Sequence, residues 1–182
     1  MRRIYLLMFA LMLCFSMANA QVIEGTVLKS WDGASGSIEI PANVTEIAAN
    51  CFYTPAEEDP DTWEVIAEEK SNTNITSVKL NNVKKIGKNA FRGCSNIETI
   101  DAPNVETIEE GAFYGLEKLT ILSLPSIKEL GMNAFEGCNQ IAKIALGSGL
   151  AKMFGNTFKG CKAVSDISVA AGGTYKAVQN AI

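Results

Sequence analysis

The stretch AFRGCSNIETI, residues 90–100, returns three more times down the chain as AFYGLEKLTIL, AFEGCNQIAKI and TFKGCKAVSDI. The phenylalanines that anchor these copies, Phe91, Phe113, Phe135 and Phe158, are separated by 22, 22 and 23 residues. Self-similarity at such a period marks units too small to bury an apolar face alone, which must stack on copies of themselves; the architecture it demands is a solenoid. The intervening positions keep the same step. Ile97, Ile100, Ala102, Val105, Ile108 and Ala112 in one copy become Leu119, Leu122, Leu124, Ile127, Leu130 and Ala134 in the next. An earlier copy runs from Ile75 to Phe91, and Phe52 opens the series.

Each slot has a physical reason. In IETIDA and LTILSL apolar and polar residues alternate, as in a short strand with one buried face. Pro103 and Pro125 end that strand, because proline has no N–H to give a ladder. A second extended piece, VETI or IKEL, turns the coil, and AFxGC closes it as a tight turn or single helical turn. Stacking the coils would align their strands at about 4.8 Å and set each phenylalanine above the next in an aromatic ladder.

The phrases IEIPANVTEIAANCF, VKLNNVKKIGKNAF and LSLPSIKELGMNAFEGC resemble the repeat of the BspA-like leucine-rich repeat family, in which a strand ends at proline, a Val-x-x-Ile-Gly step follows, and Ala-Phe-x-Gly-Cys closes the coil. Ordinary leucine-rich repeats place asparagine or cysteine three residues after the strand leucines; here that slot holds Val83, Val105 or Ile127. GTVLKSWDGASGSIEIP resembles the family's N-terminal capping turn, and VSDISVAAGGTYKAVQNAI its closing strand and helix. The expected fold is therefore a mainly β repeat solenoid, capped at both ends, over residues 21–182. The resemblance implies a secreted or cell-surface protein of a kind of which some adhere to host extracellular proteins or to other cells.

The first twenty residues read separately. Arg2 and Arg3 precede an apolar run to Met17, and Ala18-Asn19-Ala20 supplies a signal-peptidase site, so residues 1–20 read as a signal peptide. The run falls short of the roughly 20 apolar residues of a membrane span. Cys14 opens a lipoprotein alternative, against which stands Leu13 where lipid attachment wants a small residue. Export would place the mature chain outside the cell, at its surface or in a periplasm, with no integral membrane segment. Without Arg2 and Arg3, 14 basic residues face 20 acidic ones, a net charge of −6, which argues against a nucleic-acid partner. There is no histidine in the chain, which removes the commonest general base and metal ligand. No enzyme activity, cofactor or metal is expected.

Cys94, Cys138 and Cys161 share a slot that Leu116 fills in the remaining copy, and Cys51 takes the slot of Ala90. A position that accepts leucine is a core position, where cysteine acts as a small hydrophobe. Adjacent coils leave a Cys138–Cys161 disulfide open. GNTFKGCK, residues 155–162, imitates a phosphate loop, but Cys161 stands where its lysine belongs. Lys84, Glu106 and Lys128 alternate in sign along one slot and read as cross-strand pairing.

Two surfaces are candidates for a partner. The strand face is polar and lacks aromatic rings, with Asp101, Ile121 and Lys143 near its centre. The other candidate interrupts the repeat: 22 residues lie between Phe52 and Ile75 where five lie between Phe91 and Ile97, an insertion of seventeen. Residues 53–74 hold seven carboxylates against Lys70, a net charge of −6 that accounts for the whole excess of the mature chain. Three readings stand: a solvated mobile excursion, a binding loop for a basic protein using Tyr53, Glu57, Glu58, Asp59, Asp61 and Trp63, or a calcium loop on Glu58, Asp59 and Asp61. Taken together, the chain reads as an exported, noncatalytic adhesion module for a host extracellular or envelope protein. The alternative is a structural or assembly component of a cell-envelope complex.

Overall fold

The computed structural model describes residues 20–172. The expected signal peptide, but for Ala20, and the expected closing helix lie outside the described residues. Seventeen short strands follow one another: β1 (Gln21–Glu24), β2 (Val27–Trp31), β3 (Gly36–Glu39), β4 (Glu46–Ile47), β5 (Tyr53–Thr54), β6 (Glu57–Glu58), β7 (Val65–Ala67), β8 (Lys70–Ser71), β9 (Ile75–Lys79), β10 (Lys85–Ile86), β11 (Thr99–Asp101), β12 (Thr107–Ile108), β13 (Ile121–Leu124), β14 (Glu129–Leu130), β15 (Lys143–Leu146), β16 (Lys152–Met153) and β17 (Asp166–Val169). They wind into a β-solenoid of about six turns, and no helix occurs among the described residues.

Each turn contributes one strand to each of two faces. On one, β3, β9 and β11 form a parallel ladder, and β13, β15 and β17 form the next. On the other, β4, β10, β12, β14 and β16 run in parallel behind β2, which joins β1 as an antiparallel hairpin at the N-terminal end. The register follows the repeat: Ile47, Ile86, Ile108, Leu130 and Met153 lie in one column. The first four are fully buried, while Met153 on the outermost strand is 41% exposed. Identical apolar slots thus become a continuous core because each coil's inward residues meet those of the coils on either side.

The third side is the aromatic ladder. Rings of Phe52, Phe91, Phe113, Phe135 and Phe158 stack at centroid distances of 4.7, 5.3, 5.3 and 5.5 Å, within 12–21° of parallel. Trp31 stands over Phe52 at the N-terminal end, 6.4 Å away and tilted by 43°. Of the two forms expected for AFxGC, the tight turn is the one formed, closed by N–H bonds from Cys94 to the Phe91 carbonyl and from Cys138 to that of Phe135. Its glycine is at φ between 68 and 78° in Gly93, Gly115, Gly137 and Gly160, a region that L side chains enter at a cost.

A second left-handed column emerges two residues before each phenylalanine. Asn50, Asn89, Gly111, Asn133 and Asn156 all have φ between 54 and 62°. Asparagine and glycine are the residues that tolerate this conformation, so the turn is encoded twice per coil.

The cysteine slot is more than apolar filling. Cys138 Sγ donates to the Phe113 carbonyl and Cys161 Sγ to the Phe135 carbonyl, each at 3.2 Å, tying one coil to its predecessor. Cys51, Cys94, Cys138 and Cys161 are buried free thiols. Burial pushes Cys51 and Cys94 up to about 12. Cys138 is likewise raised, by the neighbouring Cys161 thiol and then by burial.

Candidate functional site

The acidic insertion is not a loose excursion. It folds into two antiparallel strand pairs: Tyr53 and Thr54 of β5 oppose Ser71 and Lys70 of β8, and beyond them Glu57 and Glu58 of β6 oppose Ala67 and Val65 of β7. The cause lies in its tip and its base, which composition alone conceals. At the tip the Trp63 N–H donates to the Asp59 carbonyl and the Asp59 N–H to that of Glu64, both at 2.8 Å. The Asp59 carboxylate turns back to accept from the backbone N–H groups of Asp61 and Thr62, at 2.8 and 3.0 Å. Those two bonds hold its pKa below the ordinary carboxylate value.

At the base, Tyr53 is buried with 8% exposure, and its hydroxyl donates to Glu69. Burial first, and then that bond, raise its pKa. The Arg92 guanidinium lies 5.5 Å from the Tyr53 ring centroid and 4.2 Å from that of Tyr114, distances typical of cation–π contact, with its Nε 4.0 Å from Glu69. Asn72 donates its side-chain amide to the Ala34 carbonyl at 2.9 Å. The hairpin is thereby braced against the repeat on both sides.

This placement divides the candidates. Tyr53 is a bracing residue rather than an exposed anchor, because its ring is needed under Arg92. Trp63 is 76% exposed, and the hairpin adds two apolar residues that the sequence reading passed over, Val65 at 52% and Ile66 at 64%. Their signal was present in WEVIA, an apolar run set among carboxylates. Glu57, Glu58 and Asp61 are exposed beside them. The three carboxylates of the calcium reading are not gathered: Asp59 is committed to its own turn, and no group of three acidic or cysteine side chains arranged for a metal occurs among the described residues.

On the strand face, register places Ile121 beside Lys143 and Lys143 beside Asp166. Asp101 belongs to another row, continuing Glu39 and Lys79. Lys79 bridges to Glu39 at 2.9 Å, and this bond lowers the pKa of Glu39 and raises that of Lys79. Ile121 is 60% exposed. Along the slot of Lys84, Glu106 and Lys128, Lys128 pairs with Glu106 at 2.6 Å, and in a neighbouring slot Lys85 pairs with both Glu46 and Glu109.

Stacked parallel strands, repeating buried columns and turns closed at fixed intervals define a leucine-rich repeat solenoid. Residues 68–180 match the family model described as BspA type Leucine rich repeat region (6 copies), and the chain belongs to that family. The match begins within the insertion; the structure carries the same coil back to β3 and β4, ahead of it. Among solved structures, the leucine-rich repeat protein of T. pallidum, TpLRR, is similar with TM-score 0.67 and 18% identity over 84% of this chain and 69% of that one. A leucine-rich repeat protein from Bacteroides ovatus ATCC 8483 gives 0.60 and 20% over 82% of this chain, which spans 39% of its length. Both establish the fold alone. No curated protein matches the chain.

Proposed function

We propose that this chain is an exported, noncatalytic recognition module whose acidic hairpin engages a basic surface on a protein partner. Proteins built from this repeat generally serve protein–protein interaction or adhesion, and a fold of this kind leaves the choice of partner to local features. The observation that carries the reading is the exposure of Trp63, Val65 and Ile66 on a braced hairpin ringed by carboxylates. An aromatic anchor in an apolar patch with a polar rim is the anatomy of protein-binding surfaces. The surrounding charge would speed encounter with a basic partner and make it salt-dependent.

The test uses the mature chain against envelope extract and against extracellular matrix proteins. A partner captured by the parent should be lost with Trp63→Ser/Ile66→Ser and weakened by salt, while the melting temperature stays unchanged. Retention of the partner by that variant rejects the hairpin as the contact. Export is tested by mass spectrometry of the secreted chain, which should begin at Gln21.

A second reading has its own observation. Ile121 is an exposed aliphatic residue at the centre of a polar strand face, beside Lys143, as a docking face within an envelope assembly would require. Loss of the partner on Ile121→Ser, with the hairpin variant unaffected, would select it.

A further inference from the structure

Between the N-terminal hairpin and the base of the acidic insertion lies a cleft of about 510 Å³, lined by Ser30–Ala34, Asn50–Thr54 and Lys70–Asn74. Neither the partner surface nor the repeat requires it. Its volume falls inside the range of roughly 300–1,000 Å³ of small-molecule sites, but its lining is unlike the mostly apolar lining of such sites. Hydroxyls and amides predominate, and the charged side chains are one carboxylate, Asp32, and one ammonium, Lys70. That balance supplies too little positive charge for a phosphate or polyanion and too little negative charge for a metal ion. It suits a neutral ligand that both donates and accepts many hydrogen bonds.

The aromatic wall narrows the class further. The phenylalanine rings lie within 12–21° of one another, as rings do when each closes over the next. Trp31 is tilted by 43° against Phe52, is half-buried and lines the cleft. A pyranose has one face of C–H groups and a rim of hydroxyls. The C–H face packs on an indole, while the hydroxyls need partners at the edges, and Asp32, Asn50, Thr54 and Asn74 border the same cleft, all exposed. We infer that this cleft is a saccharide site, with Trp31 as the stacking platform and Asp32 and Asn50 as hydroxyl partners.

Trp31 and Trp63 are the two tryptophans of the chain, so Trp63→Phe leaves a fluorophore in the cleft alone. In that background the full mature chain is titrated with glucose, galactose, mannose and N-acetylglucosamine to about 20 mM, beyond the Kd of a millimolar site. At least one should give a saturable change in Trp31 emission. Asp32→Ala should weaken it by about tenfold, the loss expected of one hydrogen bond to a charged group. Asn50→Gly, which keeps the left-handed backbone at φ 58°, should weaken it too, and both variants should melt with the parent. Silence toward all four sugars overturns the inference, as does binding undiminished in both variants. Saturation-transfer NMR with the same sugars is the second readout, and the hairpin variants of the partner test should leave it intact.

Discussion

Replacing Phe113 by alanine probes the feature on which the stack depends most. The ring is 1% exposed and lies 5.3 Å from both Phe91 and Phe135, nearly parallel to each. Losing its transfer free energy costs about 2 kcal/mol, and an unfilled hole of about 100 Å³ at ~24 cal/mol per Å³ costs a further ~2.4 kcal/mol. The two stacking contacts add a fraction of a kcal/mol to about 1.5 kcal/mol each, partly counted already. A total of about 4–5 kcal/mol follows, a large part of the stability of an ordinary domain. Phe158 is the control, since it is half-buried and stacks on one ring, Phe135, at 5.5 Å; Phe158→Ala should cost about 2 kcal/mol or less. Urea unfolding followed by circular dichroism reads both. A fall in the slope with denaturant would mean that coils on either side of the hole now unfold separately, as a one-dimensional stack permits. A loss below about 1 kcal/mol at Phe113, or equal losses at the two positions, would refute the ladder as the main source of stability.

Three further outcomes are expected. Cys51, Cys94, Cys138 and Cys161 should stay unlabelled by a thiol reagent at pH 8 and react together on unfolding, since burial closes all four to the reagent and suppresses the thiolate of Cys51 and Cys94; rapid labelling of any of the four in the folded chain contradicts their burial. Gly131→Ala should destabilise markedly, because an added Cβ would lie 2.6 Å from the Glu109 carbonyl carbon, whereas Gly155→Ala meets nothing within 4 Å and should be nearly neutral; equal melting temperatures for the two variants would show that the coils yield. Acid should loosen the hairpin tip. The folded pKa of Asp59 is depressed, so its contribution is complete above the unfolded value of about 3.9 and disappears as pH falls through the folded value. Hydrogen exchange at the Asp61 and Thr62 amides should accelerate across that window in the parent and already be fast at neutral pH in Asp59→Ala.

The local code was legible because a solenoid is nearly one-dimensional: the slots of Val105, Ile108 and Phe113 recur at a fixed step, and each coil meets only its neighbours. Period, strands, turn glycines and buried cysteines therefore follow from the sequence. The asparagine column at positions 50, 89, 133 and 156 was written there as plainly, and its meaning lies in the left-handed turn it forms. The insertion has no second copy against which to be read, so composition suggested mobility. Its order comes from contacts distant in sequence: Arg92 between Tyr53 and Tyr114, and Asn72 on Ala34. Those contacts bury Tyr53 and leave Trp63, Val65 and Ile66 outside. The cleft likewise exists only in three dimensions, because residues 30–34, 50–54 and 70–74 converge through the closing of the first coil. Repetition lets the sequence specify what each coil shares with the next, whereas a feature present once is fixed by which unlike segments the fold brings together.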